Sequence, residues 1–144
     1  MENVYYKGQI IWSMIDLNGH LRHSVYADFA AQSRVNFLFK SNLMDAFKNL
    51  SIGPVLFREE LIYLKELHLG EEVIVTAEVS RRRKDHARYS IRSVIYRADG
   101  LKSAIVNSDG AWFNLKTRKI VDLPEELSAK FSSVPRTEDY EEYD

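Results

Sequence analysis

The sequence predicts an α+β fold in which a five-stranded antiparallel sheet wraps around one long helix. Residues 25–39 are mostly apolar and carry a single narrow polar stripe, as expected of a helix embedded against a sheet. One segment before this helix and four segments after it are rich in strand-forming residues. With 144 residues, the chain has the common size of one domain and is long enough to bury a core.

The first strand and the long helix make up the N-terminal part of the chain. Residues 4–14 are rich in Tyr, Ile and Trp, which favours a strand that delivers Asp16 to the next loop. Polar side chains recur every four positions in the helix, at Ser24, Asp28, Gln32, Asn36 and Lys40. This spacing aligns them along a helix of about 22 Å and leaves the other faces to be buried. We predict that Ser24 caps the helix and that Asp28 stabilises its dipole.

The remaining strands follow a short helix at residues 41–50, which Gly53 and Pro54 are expected to end. The four strand segments cover residues 55–67, 71–80, 86–97 and 101–115. Their short connections, such as Asp99-Gly100, predict that they pair in sequence order as an antiparallel meander. Gly110 predicts a bulge or a close backbone approach in the last strand, and a further hairpin turn is the alternative.

The C-terminal region is predicted to hold one short helix and a tail. Pro124, Glu125 and Glu126 are typical of a helix start, and Phe131 could dock this helix on the domain. Residues 132–144 are polar and end in an acidic run, which predicts a flexible, solvated tail. The predicted single domain therefore covers residues 1–131.

Charge and composition exclude several classes of partner. The chain has 20 basic and 21 acidic residues, so its net charge of −1 gives no global attraction to nucleic acid or an anionic membrane. It has no cysteine, which excludes disulfides and a cysteine nucleophile. No apolar run approaches ~18 residues, and the N-terminus does not resemble a signal peptide. We therefore expect a cytoplasmic protein that is not inserted in a membrane.

Residues 16–23 concentrate polar groups at the start of the long helix. A carboxylate (Asp16), an amide (Asn18), a flexible glycine (Gly19) and two imidazoles (His20 and His23) lie within eight positions. Backbone N–H groups at a helix N-terminus have no partner within the helix and can bind negative charge. Asn18-Gly19 also fits a type I′ turn between two strands, but the helix that follows argues against a second strand. This segment is the candidate active site.

The loop residues and the order of the predicted elements together resemble the hotdog-fold thioesterases, from about residue 4 to residue 124. The order of strand, loop, helix and four strands carries the resemblance, together with Asp16-Leu17-Asn18-Gly19-His20-Leu21 followed by His23 and Tyr26. The loop is similar to that of acyl-CoA thioesterases related to the hydroxybenzoyl-CoA enzyme, in which the Asp before such a Gly is catalytic. The spacing is also similar to the Asp-x-Asn-x-His motif of acyl-ACP thioesterases. His20 and Arg22 replace apolar or aromatic residues of the hydroxybenzoyl branch, which favours aliphatic acyl chains.

Thioester hydrolysis requires a base or nucleophile beside the carbonyl carbon and hydrogen-bond donors for the oxyanion. We predict that Asp16 activates water or attacks the thioester. We expect His20 to orient Asp16 or transfer protons, and Asn18 to hold the carboxylate or the water. Backbone N–H groups around His23 to Val25 are the predicted donors, and the resemblance places the polarising amide at about His23.

Further substrate contacts are predicted at Gly19, Ser24 and Tyr26. Each polar residue also has a structural alternative. Asp16 and Asn18 could simply shape a turn, and His20 could be an inward-facing histidine bonded to a backbone carbonyl. Asp28 is a rival carboxylate, because another hotdog branch carries its acid on this helix.

A basic cluster is the second candidate binding feature, formed by Arg81, Arg82, Arg83 and Lys84. CoA carries phosphates and acyl carrier proteins are acidic, so a cationic turn near the acyl site would suit either carrier. The resemblance implies that basic residues in this hairpin region contact the nucleotide. A turn that only improves solubility is the alternative.

The predicted function is hydrolysis of acyl-CoA or acyl-ACP to a free fatty acid and a thiol, without a metal or a bound cofactor. The alternatives are a hotdog hydratase or dehydratase, and a non-catalytic hotdog dimer that binds acyl-CoA. A homodimer or a dimer of dimers is expected because a sheet wrapped around a helix leaves an unpaired edge. The resemblance implies side-by-side dimers with sites at the interface.

Overall fold

One curved sheet of eight strands surrounds the long helix α1 (His23–Lys40) in the computed structural model, which describes all 144 residues. The other helices are α2 (Met44–Leu50), α3 (Glu125–Ser132) and a short 3₁₀ turn (Trp12–Met14). The strands are β1 (Val4–Gln9), β2 (Ile52–Tyr63), β3 (Glu72–Thr76), β4 (Glu78–Arg83), β5 (Arg88–Arg97), β6 (Lys102–Asn114), β7 (Lys119–Ile120) and β8 (Arg136–Tyr143). None of the helices is long and apolar enough to cross a lipid bilayer.

The sheet has five main positions, as predicted. Strand β2 lies at one edge and is followed by β6 and then β5. The next position is shared by β3 and β4, which pair with opposite ends of β5 on either side of Ala77. The far position is shared by β1, which pairs with β3, and β8, which pairs with β4. All pairs are antiparallel except that of β4 and β8.

Helix α1 occupies the centre of the fold, which confirms the prediction of an embedded helix. It packs against β1, β3, β5 and β6. Its buried residues are Val25, Tyr26, Phe29, Ala30, Ser33, Phe37 and Leu38. The single buried polar residue in this set, Ser33, donates a hydrogen bond to the Thr76 carbonyl at 3.0 Å. Polar stripe residues Ser24, Asp28, Gln32 and Lys40 are exposed.

The predicted start of this helix is wrong by two residues. The helix begins at His23, so Ser24 lies inside its first turn and is not the N-cap. Arg22 occupies the N-cap position with extended backbone and no side-chain cap. The Ser24 hydroxyl instead accepts a hydrogen bond from Arg22 Nε at 2.8 Å.

The predicted meander is also wrong in its first pairing, because β2 pairs with β6 and not with β3. After β2 the chain does not turn back at Leu69-Gly70. It crosses to the far side of the sheet, where Gly70 N–H donates to the Ile10 carbonyl at 2.9 Å. The remaining antiparallel pairs β3/β4–β5 and β5–β6 agree with the prediction.

Glycine and proline have other roles in β2 and β6 than the sequence predicts. Gly53 and Pro54 lie within β2, while α2 ends at Leu50 and is capped by Ser51, whose φ of 54° is left-handed. Pro54 fits there because an edge strand tolerates the missing N–H. Strand β6 runs through Gly110 without a turn, and a Cβ at Gly110 would lie 2.9 Å from the Val55 carbonyl oxygen. The close approach of the two backbones is confirmed.

The C-terminal residues, predicted to be a flexible tail, form strand β8 beside β4. Opposite charges line up across this parallel pair. Glu141 accepts from Arg81 at 2.9 Å, and Asp144 lies 3.0 Å from Lys84. The acidic run therefore complements the basic strand to which it is bonded.

Candidate active site

The loop that carries the predicted site is a tight reversal closed by one residue pair. Ile15 and Leu21 form an isolated antiparallel bridge, and Asp16 N–H donates to the His20 carbonyl at 2.8 Å. Gly19 adopts a φ of 79°, which favours glycine. The chain thus reverses as in the hairpin alternative, but it enters α1 two residues later and no second strand forms.

Asp16 is held in this loop by only one of its two carboxylate oxygens. Its Oδ1 accepts hydrogen bonds from the backbone N–H groups of Asn18 at 2.9 Å and His20 at 3.1 Å. Its Oδ2 has no hydrogen-bond partner in the chain. Two N–H donors fix the direction of the carboxylate, because rotation would break both bonds. One oxygen is therefore left for a substrate or a water molecule.

Asp16 lines an open pocket of about 250 Å³. Two parts of the chain form it, the site loop with the start of α1, and the end of β2 with the segment that follows. Its lining residues are Asp16, His20, Leu21, His23, Tyr26, Tyr63, Leu64, Lys65 and Glu66. The first five were in or beside the predicted segment.

Of the seven predicted site residues in the loop and at the start of α1, four line the pocket and three do not. Asp16, His20, His23 and Tyr26 are lining residues. Asn18, Gly19 and Ser24 are exposed and lie outside it. Asn18 holds the carboxylate through its backbone N–H and not through its amide. The rival carboxylate Asp28 is exposed on α1 and is not part of the pocket either.

The first turn of α1 supplies the predicted backbone donors. His23 and Ser24 are the first helical residues, and N–H groups at this position have no carbonyl partner one turn earlier in the helix. The N–H of Val25 donates to the Arg22 carbonyl at 3.0 Å. Of the three predicted donors, Val25 is therefore occupied.

Tyr26 and Tyr63 form the apolar wall of the pocket. Their rings meet edge to face with centroids 5.2 Å apart, and the Tyr63 hydroxyl donates to the His23 carbonyl at 3.3 Å. Burial raises the pKa of Tyr26 to about 12, and the nearby Tyr63 and Asp16 act in the same direction. Tyr26 therefore stays neutral at physiological pH.

The residues that sequence reasoning missed come from the segment after β2. Glu66 faces the pocket, and a hydrogen bond from its own backbone lowers its pKa, helped by His20, His68 and Lys65. His68 is exposed and meets the His20 ring edge to face at 5.1 Å. Only the non-local pairing of residues 20 and 68 brings these groups together. No pattern in the local sequence predicts this contact.

The basic cluster lies elsewhere and is engaged by other residues. None of its four members lines the Asp16 pocket. Arg81, Arg83 and Lys84 form ion pairs with Glu141, Asp85 and Asp144.

Arg82 differs from the other three because it is buried against α3. Its guanidinium donates to Ser132 Oγ at 2.7 Å and to Ser128 Oγ at 2.9 Å. Burial lowers its pKa. The prediction that Arg82 contacts a substrate phosphate is therefore wrong, because its donors point inward.

The chain matches the thioesterase-like superfamily over residues 10–131 and belongs to this family. The predicted family is confirmed. No curated protein sequence matches the chain.

Three solved structures show the same fold. A hypothetical protein from Staphylococcus aureus, solved in complex with CoA, is 20% identical with a TM-score of 0.81 over 93% of this chain and 87% of that one. A 1,4-dihydroxy-2-naphthoyl-CoA thioesterase from Synechocystis is 14% identical with a TM-score of 0.75 over 89% and 94%. A DHNA-CoA thioesterase from Staphylococcus aureus is 16% identical with a TM-score of 0.78 over 88% and 87%. These similarities confirm the predicted hotdog fold.

Proposed function

We propose that this protein hydrolyses acyl thioesters and that Asp16 is its catalytic carboxylate. The observation that carries the proposal is the state of this side chain. Oδ1 is fixed by two backbone N–H groups, Oδ2 has no hydrogen-bond partner in the chain, and Asp16 lines a pocket at the N-terminus of α1. Membership of the thioesterase-like superfamily supports the reaction class.

Asp16 could act in the hydrolysis in two ways. As a general base, Asp16 takes a proton from water while the water oxygen adds to the carbonyl carbon. The carbon–sulfur bond then breaks, and the leaving thiolate accepts the proton. As a nucleophile, Asp16 adds to the same carbon and expels the thiolate, and water hydrolyses the resulting anhydride. Both forms require stabilisation of the negative oxygen of the tetrahedral intermediate.

We assign that stabilisation to the first turn of α1. The N–H group of His23, which lines the pocket, lies at the positive end of the helix dipole. One preorganised donor of this kind contributes roughly a factor of 10²–10³ to kcat in other hydrolases. The phenol of Tyr26 in the same wall is neutral, so it adds no further negative charge beside the reacting oxygen.

We propose a dimer through β2, because this strand leaves its outer edge free. Strand β2 pairs only with β6, and it exposes Leu56, Phe57, Ile62 and Tyr63. A long apolar edge is normally covered by another strand. The Asp16 pocket, at about 250 Å³, is also smaller than the ~300–1,000 Å³ of most small-molecule sites. A second copy against Tyr63 and Leu64 would enlarge and close it.

This dimer suggests where the acyl chain goes. A second cavity of about 180 Å³ lies between α1 and the first half of β2, lined by apolar residues that include Val35, Leu38, Val55 and Trp112. Two-fold antiparallel pairing of β2 with its copy would set the start of one strand beside the end of the other. The second copy's apolar cavity would then adjoin this Asp16 pocket. An aliphatic acyl chain suits that cavity.

For the thiol carrier we favour CoA over acyl carrier protein. One protein of the same fold was solved in complex with CoA. The candidate phosphate contacts are Arg81 and Lys84, whose ion pairs with Glu141 and Asp144 are largely exposed. Exposed pairs contribute only about 0–1 kcal/mol, so a phosphate can replace the carboxylate.

The test is a hydrolysis panel with wild type and Asp16→Asn on acyl-CoA and acyl-ACP substrates of several lengths, read as free thiol. Asn keeps an acceptor oxygen for the N–H groups of Asn18 and His20, so the loop should remain intact. We expect kcat to fall by ~10²–10⁴-fold with little change in KM. Asp28→Asn is the matched control and should retain wild-type kcat, because Asp28 lies outside the pocket.

Two results would overturn this assignment. Retention of more than about a tenth of kcat by Asp16→Asn lies well outside the general-base range. A wild-type protein that binds acyl-CoA but releases no thiol would instead be a binding module. Circular dichroism of each variant separates loss of catalysis from loss of folding.

A further inference from the structure

Beside the Asp16 pocket, two imidazoles and one carboxylate converge in a way that the proposed hydrolysis does not require. His20, Glu66 and His68 each present one ligand atom, and these atoms all lie within 4.8 Å of one another. His20 is half-buried, while Glu66 and His68 are exposed. They come from the site loop and from the segment after β2, so the fold and not the sequence spacing assembles them.

The backbone beneath this group is fixed. His20 and His68 are opposed in an isolated antiparallel bridge, and Leu21 N–H donates to the Leu67 carbonyl at 2.7 Å. Leu21 and Leu67 are both buried, with 3% and 0% of their surface exposed. The backbone of His20 and His68 is therefore rigid, and only the two imidazole side chains need to rotate to bind a ligand.

The carboxylate of Glu71 also orients His68. Its backbone N–H donates to Glu71 Oε2 at 3.2 Å, and its Nδ1 lies 3.4 Å from Glu71 Oε1. A carboxylate on one imidazole nitrogen holds the ring in the tautomer whose other nitrogen can bind a metal. This arrangement recurs behind histidine ligands of zinc. It leaves His68 Nε2 free for an ion.

We propose that His20, Glu66 and His68 form a binding site for a divalent transition metal ion of the zinc class. Two imidazoles and one carboxylate match the ligand preference of Zn²⁺, whereas Ca²⁺ and Mg²⁺ prefer oxygen ligands throughout. Ligands around a tetrahedral Zn²⁺ lie about 3.3 Å apart, from bond lengths of about 2.0–2.1 Å. Rotation of the exposed Glu66 and His68 side chains can close the remaining distance.

This site differs from the metal-free expectation drawn from the sequence, and its coordination would be incomplete. Three protein ligands leave a fourth position open, as in zinc sites that bind a further small ligand. His20 and Glu66 also line the Asp16 pocket, so the open position lies at the wall of that pocket. A bound cation there would sit close to the Asp16 carboxylate.

The consequence for hydrolysis rests on the proposed function. A metal ion would hold His20 and Glu66 in fixed positions and attract the free oxygen of Asp16. The freed thiol of the product is itself a good zinc ligand in its thiolate form. Zinc should therefore act as a reversible inhibitor of thioester hydrolysis at this site.

The binding test uses untagged full-length protein and does not depend on activity. Isothermal titration with Zn²⁺ should give about one ion per chain, and Co²⁺ should give the visible absorption of a four-coordinate site. His68→Ala and His20→Ala should each weaken binding by at least tenfold. Glu71→Gln should weaken it by about 10–100-fold while the stoichiometry stays at one.

Two control variants test for metal bound elsewhere. His86→Asn removes a histidine outside the group, and Asn tolerates the left-handed φ of 64° at that position. Glu72→Gln changes the exposed neighbour of Glu71. Both should bind Zn²⁺ like wild type. Absence of stoichiometric binding, or wild-type affinity in His68→Ala and His20→Ala, would overturn the proposal. Because His68 is exposed, its variant remains informative even if His20→Ala fails to fold.

A second measurement separates this site from the proposed function. If the protein hydrolyses thioesters, saturating Zn²⁺ should lower the rate several-fold, a chelator should restore it, and His68→Ala should resist inhibition. If the protein has no hydrolase activity, the titration still tests the metal site independently of the proposed function. Stoichiometric binding at His20 and His68 without inhibition would keep the site and exclude its proposed effect on hydrolysis.

Discussion

The Asp16 carboxylate shapes its loop and leaves an oxygen for chemistry at the same time. Sequence reasoning treated a turn-forming Asp and a catalytic Asp as alternatives. In the structure Oδ1 makes the turn hydrogen bonds while Oδ2 stays free. The loop residues could be predicted because they are adjacent in sequence. The opposite wall could not, because Tyr63 and Glu66 reach the pocket only through the path of the chain after β2.

Replacement of His20 by alanine should cost less activity than loss of Asp16. The His20 group that orients the carboxylate is its backbone N–H, at 3.1 Å from Oδ1, and His20→Ala keeps this donor. We expect kcat to fall by less than about tenfold, against ~10²–10⁴-fold for Asp16→Asn. Steady-state kinetics with melting temperatures as a folding control would measure both. Equal losses would mean that the imidazole and the carboxylate act as one unit.

Tyr26 should make the folded state sensitive to alkaline pH. Its pKa is about 12 in the folded protein, against about 10 for an unfolded tyrosine, because it is buried. Its protonated form stabilises the fold fully below pH 10, and this contribution is lost as the pH rises towards 12. The free energy of unfolding should therefore fall less steeply above pH 10 in Tyr26→Phe than in wild type.

Urea denaturation at pH 9, 10 and 11 would measure this difference. Tyr96→Phe, at a partly exposed position of β5, is the matched control and should follow the wild-type slope. A Tyr26→Phe slope equal to that of wild type would contradict the assignment of the buried phenol.

Strand β8 shows why a segment rich in charge can still be ordered. Arg136–Tyr143 has no apolar alternation that would predict a strand, and its burial is mostly slight. Its stability comes from a partner that the local sequence does not contain. Strand β4 offers an unpaired edge and the basic side chain of Arg81, which pairs with Glu141 of β8. Asp139 of β8 pairs with Arg92 of the neighbouring strand β5. Such complementarity can be recognised only when the sheet order is known.

Truncation after Pro135, which removes β8, should destabilise the domain by about 1–3 kcal/mol. The loss combines several backbone hydrogen bonds with weak exposed ion pairs. Urea denaturation in low salt would give this difference. In 0.5 M salt the difference should shrink, because the ion pairs of wild type are then screened. Unchanged stability of the truncated chain would indicate that β8 is only loosely attached.

The order of the five main strands depends on contacts that are distant in sequence. Enrichment in strand-forming residues predicted the strands themselves, and short turns predicted the β5–β6 pair. The pairing of β2 with β6 joins segments more than forty residues apart, such as Tyr63 with Ala104. The composition of β2 does not distinguish β3 from β6 as its partner. The strands were therefore predictable, whereas the order of the sheet was not.

The chain should form a homodimer through the free edge of β2. Light scattering at micromolar concentration should give about twice the 16.8 kDa mass of one chain. Phe57→Lys places a charge among the exposed apolar residues of this edge and should shift the protein towards the monomer. Leu101→Lys, at an exposed apolar position beyond β5, is the control and should leave the mass unchanged. A wild-type mass of 16.8 kDa would contradict the dimer.

The central position of α1 has a consequence for synthesis on the ribosome. The helix ends at Lys40, but β6, one of the strands that cover it, ends at Asn114. At about 5–20 residues per second, translation of the 74 intervening residues takes about 4–15 s. During this time the apolar faces around Phe29 and Phe37 do not yet have the complete sheet to pack against. The nascent chain is then a target for chaperones that bind exposed apolar segments, and slower translation would lengthen its exposure to aggregation.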